Sequence, residues 1–162
     1  MSQEVFQGPG HLTLAMIKPH VYRAGKIGQV ISRIEDAGFK ILILKSVQLR
    51  KEGAEYFYEE HKEKPYFKNL VGTMCSGPVI PMVLMKHGAV EEFRKLLGAT
   101  HPAEAAEGTL RHDFGEHTNV TNNAVHGSDS NAAAHREIGF FFGRELKLAE
   151  RVNALDKQQG IL

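Results

Sequence analysis

Asn123-Ala124-Val125-His126-Gly127-Ser128-Asp129-Ser130 is the stretch on which the reading of this 162-residue chain turns. A short segment with strand propensity, Asn123-Ala124-Val125, runs into a histidine and a glycine turn, and a helical pattern follows. Imidazole is a good nucleophile near neutral pH because its reference pKa is about 6.5. Gly127 beside it removes side-chain bulk and frees the backbone, which would let a bulky group such as a phosphoryl approach. One histidine among nine carries little weight by itself. Its weight comes from what stands elsewhere.

Downstream, residues 131–142 read as a helix with Ala134, Ile138 and Phe141 aligned, and residues 144–156 as a final helix through Leu148, Val152 and Leu155. Upstream, residues 100–125 show little periodicity and read as a long loop, a feature that in compact domains is often functional. Before it, residues 89–97 are helical, with Val90, Phe93, Leu96 and Leu97 on one side. Residues 79–85 read as a strand in which Pro81 hints at an edge or a bulge. Residues 53–61 and 65–74 read as two short helices, with Pro65 in the first turn of the second. Residues 39–49, rich in Ile, Leu and Val, read as a strand. A helix opens at Gly25 with Ile27, Val30, Ile31 and Ile34 on one face, and Gly38 stops it. Residues 12–18 form the first buried strand, ended by Pro19. This order suggests an α/β sandwich without repeats, linkers or low-complexity blocks.

Composition narrows the partners. The length fits one domain. Twenty basic against 19 acidic residues argue against a strongly basic nucleic-acid binder, leaving such binding at most a secondary activity, yet permit a local basic cluster around a phosphate. A single cysteine, Cys75, rules out an internal disulfide and any cysteine-based zinc finger. No apolar run approaches the ~18 residues of a membrane span, and the N-terminus has no signal-peptide core. The cytoplasm is therefore the expected location. Val5-Phe6-Gln7-Gly8-Pro9 resembles a viral protease recognition site of the kind attached to recombinant proteins; a native extension is the alternative.

His126-Gly127-Ser128-Asp129-Ser130 resembles the active-site signature of nucleoside diphosphate kinases, and further segments match that family in order. Leu14-Ala15-Met16-Ile17-Lys18-Pro19 is similar to its first strand, and Arg33-Ile34-Glu35-Asp36-Ala37-Gly38-Phe39-Lys40-Ile41 to its first helix and second strand. Phe57-Tyr58-Glu59-Glu60-His61 and Lys64-Pro65-Tyr66-Phe67 resemble the nucleotide lid. Met74-Cys75-Ser76-Gly77-Pro78-Val79, Leu97-Gly98-Ala99-Thr100 and Gly108-Thr109-Leu110-Arg111 follow. The resemblance implies an α/β (α+β sandwich) fold with a ferredoxin-like βαββαβ core: a four-stranded antiparallel sheet and surrounding helices. It divides the chain into an N-terminal extension (1–11), a kinase domain (12–143) and a helical tail (144–162).

The resemblance implies transfer of the γ-phosphate of a nucleoside triphosphate to a nucleoside diphosphate, with His126 holding the phosphate between the two half-reactions. Glu137 would accept a hydrogen bond from the imidazole nitrogen that does not react; otherwise it is a solvated helix glutamate. Ser128 would bond near the site and Asp129 hold the turn, or both, with Ser130, serve only as turn and N-cap residues. Lys18, Arg94 and Arg111 match the family's basic residues, the two arginines clamping phosphates. Thr100 would donate its hydroxyl to a phosphate, and Lys18 and Asn123 would hold ribose hydroxyls. Mg²⁺ would be bound mainly by nucleotide phosphates and water, in keeping with the lack of a carboxylate cage. Tyr66 stands where the family usually has phenylalanine, and either ring stacks on any base, so broad base specificity would follow. Leu70 and the Val120 region would add apolar contacts. Tyr58 matches a family tyrosine near the histidine, or is a packed core aromatic.

Departures from the pattern are local. The stretch from Arg111 to His126 is longer than in the family by about two residues, which leaves Asn122 or Asn123 as the ribose ligand; Asn123 directly precedes the strand and is chosen. His20 replaces the usual polar residue after Lys-Pro, and His112 a smaller one. The spacing of His112, His117, His126 and His135 fits no familiar zinc pattern. Gly25-Lys26-Ile27-Gly28 is no P-loop. The family works as homo-oligomers, and the Pro102 loop favours a hexamer over a tetramer. A catalytically inactive, ferredoxin-like oligomeric scaffold is the competing reading.

Overall fold

The computed structural model describes the backbone of residues 10–158 and the side chains of residues 10–147. At its centre lies β1 (Leu12–Ile17), buried on both faces. Alternation of side chains across a strand sends Leu14 and Met16 to one face and Ala15 and Ile17 to the other. β1 pairs antiparallel with β3 (Ile80–Met85), Leu12 opposite Met85, and with β4 (Val125–Gly127), Met16 opposite His126. β2 (Lys40–Leu44) pairs antiparallel with β3, so the sheet order is β2-β3-β1-β4. Together with the helical crossovers from β1 to β2 and from β3 to β4, this is the expected βαββαβ core.

Seven α-helices are described: α1 (Pro19–Arg23), α2 (Ile27–Asp36), α3 (Lys51–Phe57), α4 (Phe67–Cys75), α5 (Ala89–Leu97), α6 (Leu110–Phe114) and α7 (Asn131–Gln158). They divide between two cores. On one face of the sheet, Val30 and Ile34 of α2 and Phe93 and Leu97 of α5 pack on Ala15, Ile17, Met82 and Leu84. On the other, Phe57 of α3, Leu70 and Met74 of α4 and Phe141 and Phe142 of α7 pack on Leu14, Met16 and Val83. The apolar stripe at i, i+3, i+4 and i+7 of α2 dictates this packing, since it is the face that must leave water.

Several elements differ from the sequence expectations. Pro19 ends the strand but also opens α1, whose five residues are too few to show a period. β2 stops at Leu44 rather than reaching residue 49, after a register shift between Ile41 and Ile43. Pro81 explains the stop, although it lies on the inner strand β3 and not at an edge. Its carbonyl accepts from Lys45 N–H at 3.2 Å, so its missing N–H falls on the β2 side. The chain touches β3 once more, at the Val47–Val79 bridge. α3 ends at Phe57 and passes into a 3₁₀ turn, Glu59–His61. α4 starts at Phe67, so Pro65 precedes the helix instead of entering its first turn. Residues 100–125 are not structureless: they hold a 3₁₀ turn, Pro102–Glu104, and α6, capped by the Thr109 hydroxyl. α7 runs on as one helix where two were expected, because Gly143 keeps helical backbone and costs only about 1 kcal/mol there. The positions Leu148, Val152 and Leu155, like the segment 1–9, lie outside the described side chains.

Candidate active site

β4 is only three residues long, yet it sits beside the central strand and hands the chain directly to α7. The hydroxyl of Ser130 accepts from Ala133 N–H at 3.0 Å and caps that helix. One helical turn on, Ala133, Arg136 and Glu137 fall on the same face, and that face lines a cavity of about 220 Å³ with His126. Arg94 from α5, Thr100, Arg111 from α6, and Phe57 and Tyr58 at the end of α3 complete most of the wall.

Within it, Nε2 of His126 is hydrogen-bonded to Oε1 of Glu137, a carboxylate only 3% exposed. That bond occupies one ring nitrogen and leaves Nδ1 without a hydrogen-bond partner among the described residues. Phe57 and Tyr58 meet the imidazole edge-on, at centroid separations of 5.2 and 5.9 Å. The ring is thus held by one directional bond and two aromatic walls. Burial, then the Glu137 charge, pushes the Tyr58 hydroxyl well above its usual range, so it stays protonated.

The basic groups converge from three elements. Arg111 is buried, its Nε donating to Val125 O and its Nη1 to Gly98 O, both at 3.3 Å. Burial, then the Arg94 charge, lowers its pKa to about 10. Lys18, at the end of β1, is 5% exposed and donates to Thr121 O at 3.0 Å. Burial first, and Arg111 second, bring its pKa down to about 7. A lysine whose folded pKa lies below its ordinary 10.5 binds fewer protons folded than unfolded, so its charge costs stability below about pH 7 and the cost fades as pH rises. Lys18→Met is therefore expected to melt above the wild type at pH 6, with the gap closing between pH 7 and 10. A constant gap would mean that the ammonium carries no such penalty.

Asp129 also lines the cavity, whereas Lys18, Asn123, Ser128, Leu70 and Tyr66 stand apart from its wall. Asn123 is buried and donates to Thr100 O at 2.9 Å, whereas Asn122 bonds Glu116 at 2.8 Å. The Ser128 hydroxyl accepts from Leu14 N–H at 3.2 Å and ties β4 to β1; it makes no hydrogen bond to His126 or Glu137. Leu70 packs in the core. Tyr66 is 39% exposed and its hydroxyl meets His61 Nδ1 at 2.9 Å. The segment before β4 closes on itself through Glu116 and Asn122, and leans on α4 through Thr121, Asn69 and Thr73. None of residues 115–122 lines the cavity. Ala133 and Arg136 do and were not foreseen, whereas Glu60 and His61, which also line it, belong to the segment that resembles the nucleotide lid. Arg136 and Ala133 were within reach, since they lie one and four positions before Glu137 on one helix.

Gly127 requires a correction. A Cβ on it would lie 2.6 Å from Leu97 and 2.8 Å from Phe93 of α5, so the missing side chain makes room for the core and not for a phosphoryl group. Gly127→Ala is expected to destabilise the protein by about 1–3 kcal/mol through overpacking, measured by chemical denaturation. An unchanged midpoint would show that α5 yields freely.

Among the described residues, no helix is long and apolar enough to cross a membrane, and no group of three His, Cys, Asp or Glu residues could hold a metal ion. Residues 11–146 match the family profile described as nucleoside diphosphate kinase. A nucleoside diphosphate kinase of Salinibacter ruber is 48% identical over 130 residues, covering 80% of this chain and 90% of that protein. One from Campylobacter jejuni is 52% identical over 130 residues, covering 80% and 93%. The solved structure of a halophilic nucleoside diphosphate kinase from Halobacterium salinarum in complex with CDP matches with a TM-score of 0.79 at 38% identity, covering 84% of this chain and 90% of that one.

Proposed function

We propose that this chain, which belongs to the nucleoside diphosphate kinase family, carries the γ-phosphate between nucleotides on Nδ1 of His126. The observation that supports this reading is the bond from Nε2 to buried Glu137, which leaves Nδ1 as the ring nitrogen free to react at a cavity lined by Arg94, Thr100 and Arg111. In the first half-reaction the Nδ1 lone pair bonds to the γ-phosphorus while the bond to the bridging oxygen breaks, and the diphosphate leaves with that electron pair. In the second, a terminal oxygen of another diphosphate attacks the same phosphorus and the P–N bond breaks. Glu137 fixes the tautomer and stabilises the positive ring. The arginines and Thr100 meet the charge spreading over the phosphoryl oxygens. Tyr58 holds the imidazole, and Ser128 anchors its strand.

Lys18 and Asn123 hold ribose hydroxyls, Tyr66 offers a flat ring that accepts purines and pyrimidines alike, and Leu70 adds apolar contact. The residues present fit a Mg²⁺ that arrives on the nucleotide and is held by phosphates and water: of the three carboxylates on the cavity wall Glu137 is engaged by His126, which leaves Glu60 and Asp129. When bound, it supplies charge neutralisation at the phosphates. The catalytic unit spans residues 12–143, and residues 144–158 of the tail 144–162 continue α7. A cytoplasmic homo-oligomer, a hexamer in preference to a tetramer, completes the reading, and light scattering on the full chain tests the assembly.

The deciding experiment is incubation with γ-labelled ATP and Mg²⁺, intact-mass analysis, and a chase with GDP or CDP. An acid-labile, alkali-stable phosphate on His126 that passes to either diphosphate is expected. A folded protein that takes no label would overturn the mechanism.

A further inference from the structure

Ala124 is the one non-glycine residue with positive φ among the described residues, at 70°. Across it, Val125 N–H donates to Asn123 O at 2.8 Å, which makes a tight three-residue γ-turn of the rare, strained kind. The turn is fully buried and lies two residues before His126. Strain of this sort persists only where the surroundings over-determine it, and here the surroundings are the junction of β1 and α1. Lys18 N–H donates to Ala124 O at 2.9 Å, and Ala124 N–H donates to Nε2 of His20 at 3.2 Å. Both backbone polar groups of Ala124 are therefore held by residues two apart.

We propose that His20 is a positioning residue for phosphoryl transfer: its Nε2 holds the strained turn at Ala124, and through the turn it sets Asn123, the Val125 carbonyl and the His126 ring. Asn123 bonds Thr100 on one side of the turn, and Val125 O accepts from Arg111 Nε on the other. One imidazole thus acts through a single amide on the nucleophile's strand and on a phosphate-facing arginine. To accept, Nε2 must be unprotonated. Burial, only partly offset by Glu116, keeps the ring neutral with a pKa of about 4, with Lys18 and Arg23 acting in the same direction. Its Nδ1 has no well-formed partner and faces the Phe114 carbonyl, at the end of the helix that bears Arg111. A histidine that only filled the core would need no acceptor aimed at a strained amide.

The inference rests on the phosphohistidine reading, and the wild-type labelling reaction checks that reading separately. His20→Phe keeps the ring volume and loses the acceptor; His20→Gln keeps an acceptor. In single-turnover labelling by ATP, His20→Phe is expected to phosphorylate His126 on the order of 10- to 100-fold more slowly, with the half-saturating ATP concentration little changed. His20→Gln is expected to recover most of that rate. Ala124→Gly, which takes positive φ without strain, sets a second background in which the loss from His20→Phe shrinks to about threefold or less. Melting curves accompany each variant. A wild-type rate in His20→Phe would overturn the proposal. So would an equal loss in both backgrounds, because His20 would then act elsewhere than at the turn. If the wild type itself took no label, the reaction and not the positioning role would have failed.

Discussion

His126→Ala is expected to exchange phosphate on the order of 10⁵-fold more slowly than the wild type, because on the proposed route the group that accepts the phosphate is gone. The nearest rings are carbon-edged Phe57 and the protonated hydroxyl of Tyr58. The substitution also takes the partner from a carboxylate that is 3% exposed and whose second oxygen already lacks a hydrogen bond. Melting several degrees lower is therefore expected, from about 1–3 kcal/mol of lost stability. His126→Gln separates the two effects: its amide can still donate to Glu137, so stability returns while exchange does not. A coupled nucleotide-exchange assay and a thermal melt on both variants check this. Exchange within tenfold of wild type in either one would sink the covalent route.

Arg111→Ala is expected to lower kcat/KM by about 10²–10³-fold, the usual loss when a preorganised donor to a charged transition state is removed. Arg111 is buried between β4 and the loop after α5, and its fork spans two carbonyls, at Val125 and Gly98. Both acceptors lose a charged donor, so about 1–3 kcal/mol of stability goes as well. Arg111→Lys keeps the charge and loses the fork, so it restores only part of the rate. A further sign follows from Lys18. Arg111 is the second cause of its low pKa, after burial, so removing Arg111 moves the Lys18 transition above about pH 7. The pH dependence of stability should shift upward in step. A rate within threefold of wild type would remove Arg111 from the phosphate's path, and an unshifted pH profile would remove its charge from the surroundings of Lys18.

Much of the site was legible because its chemistry depends on residue type at fixed spacing. The interval of eleven residues from His126 to Glu137 crosses one capped turn and then two turns of helix, and the helix returns the carboxylate to the imidazole. The apolar stripes of α2 and α5 and the alternation in β1 were likewise legible, since local periodicity alone dictates which face must be buried. Arg136 was missed because the same periodicity was applied to the core face of α7 and not to the cavity face.

What the sequence by itself determined is which histidine, carboxylate and basic residues to expect at the candidate site, together with the βαββαβ order of the core, while α1, α6 and the unbroken α7 came from the structure. The tertiary structure alone decided three further matters. Gly127 is glycine because α5 presses on it through Phe93 and Leu97, a contact that no local pattern reports. β2 ends where it does because Pro81, on a neighbouring strand, withholds a donor. His20, 104 residues from Ala124 in sequence, accepts from the Ala124 amide in the turn before β4. Each is a contact between segments distant along the chain, and a contact of that kind leaves no period or spacing in the residues on either side of it.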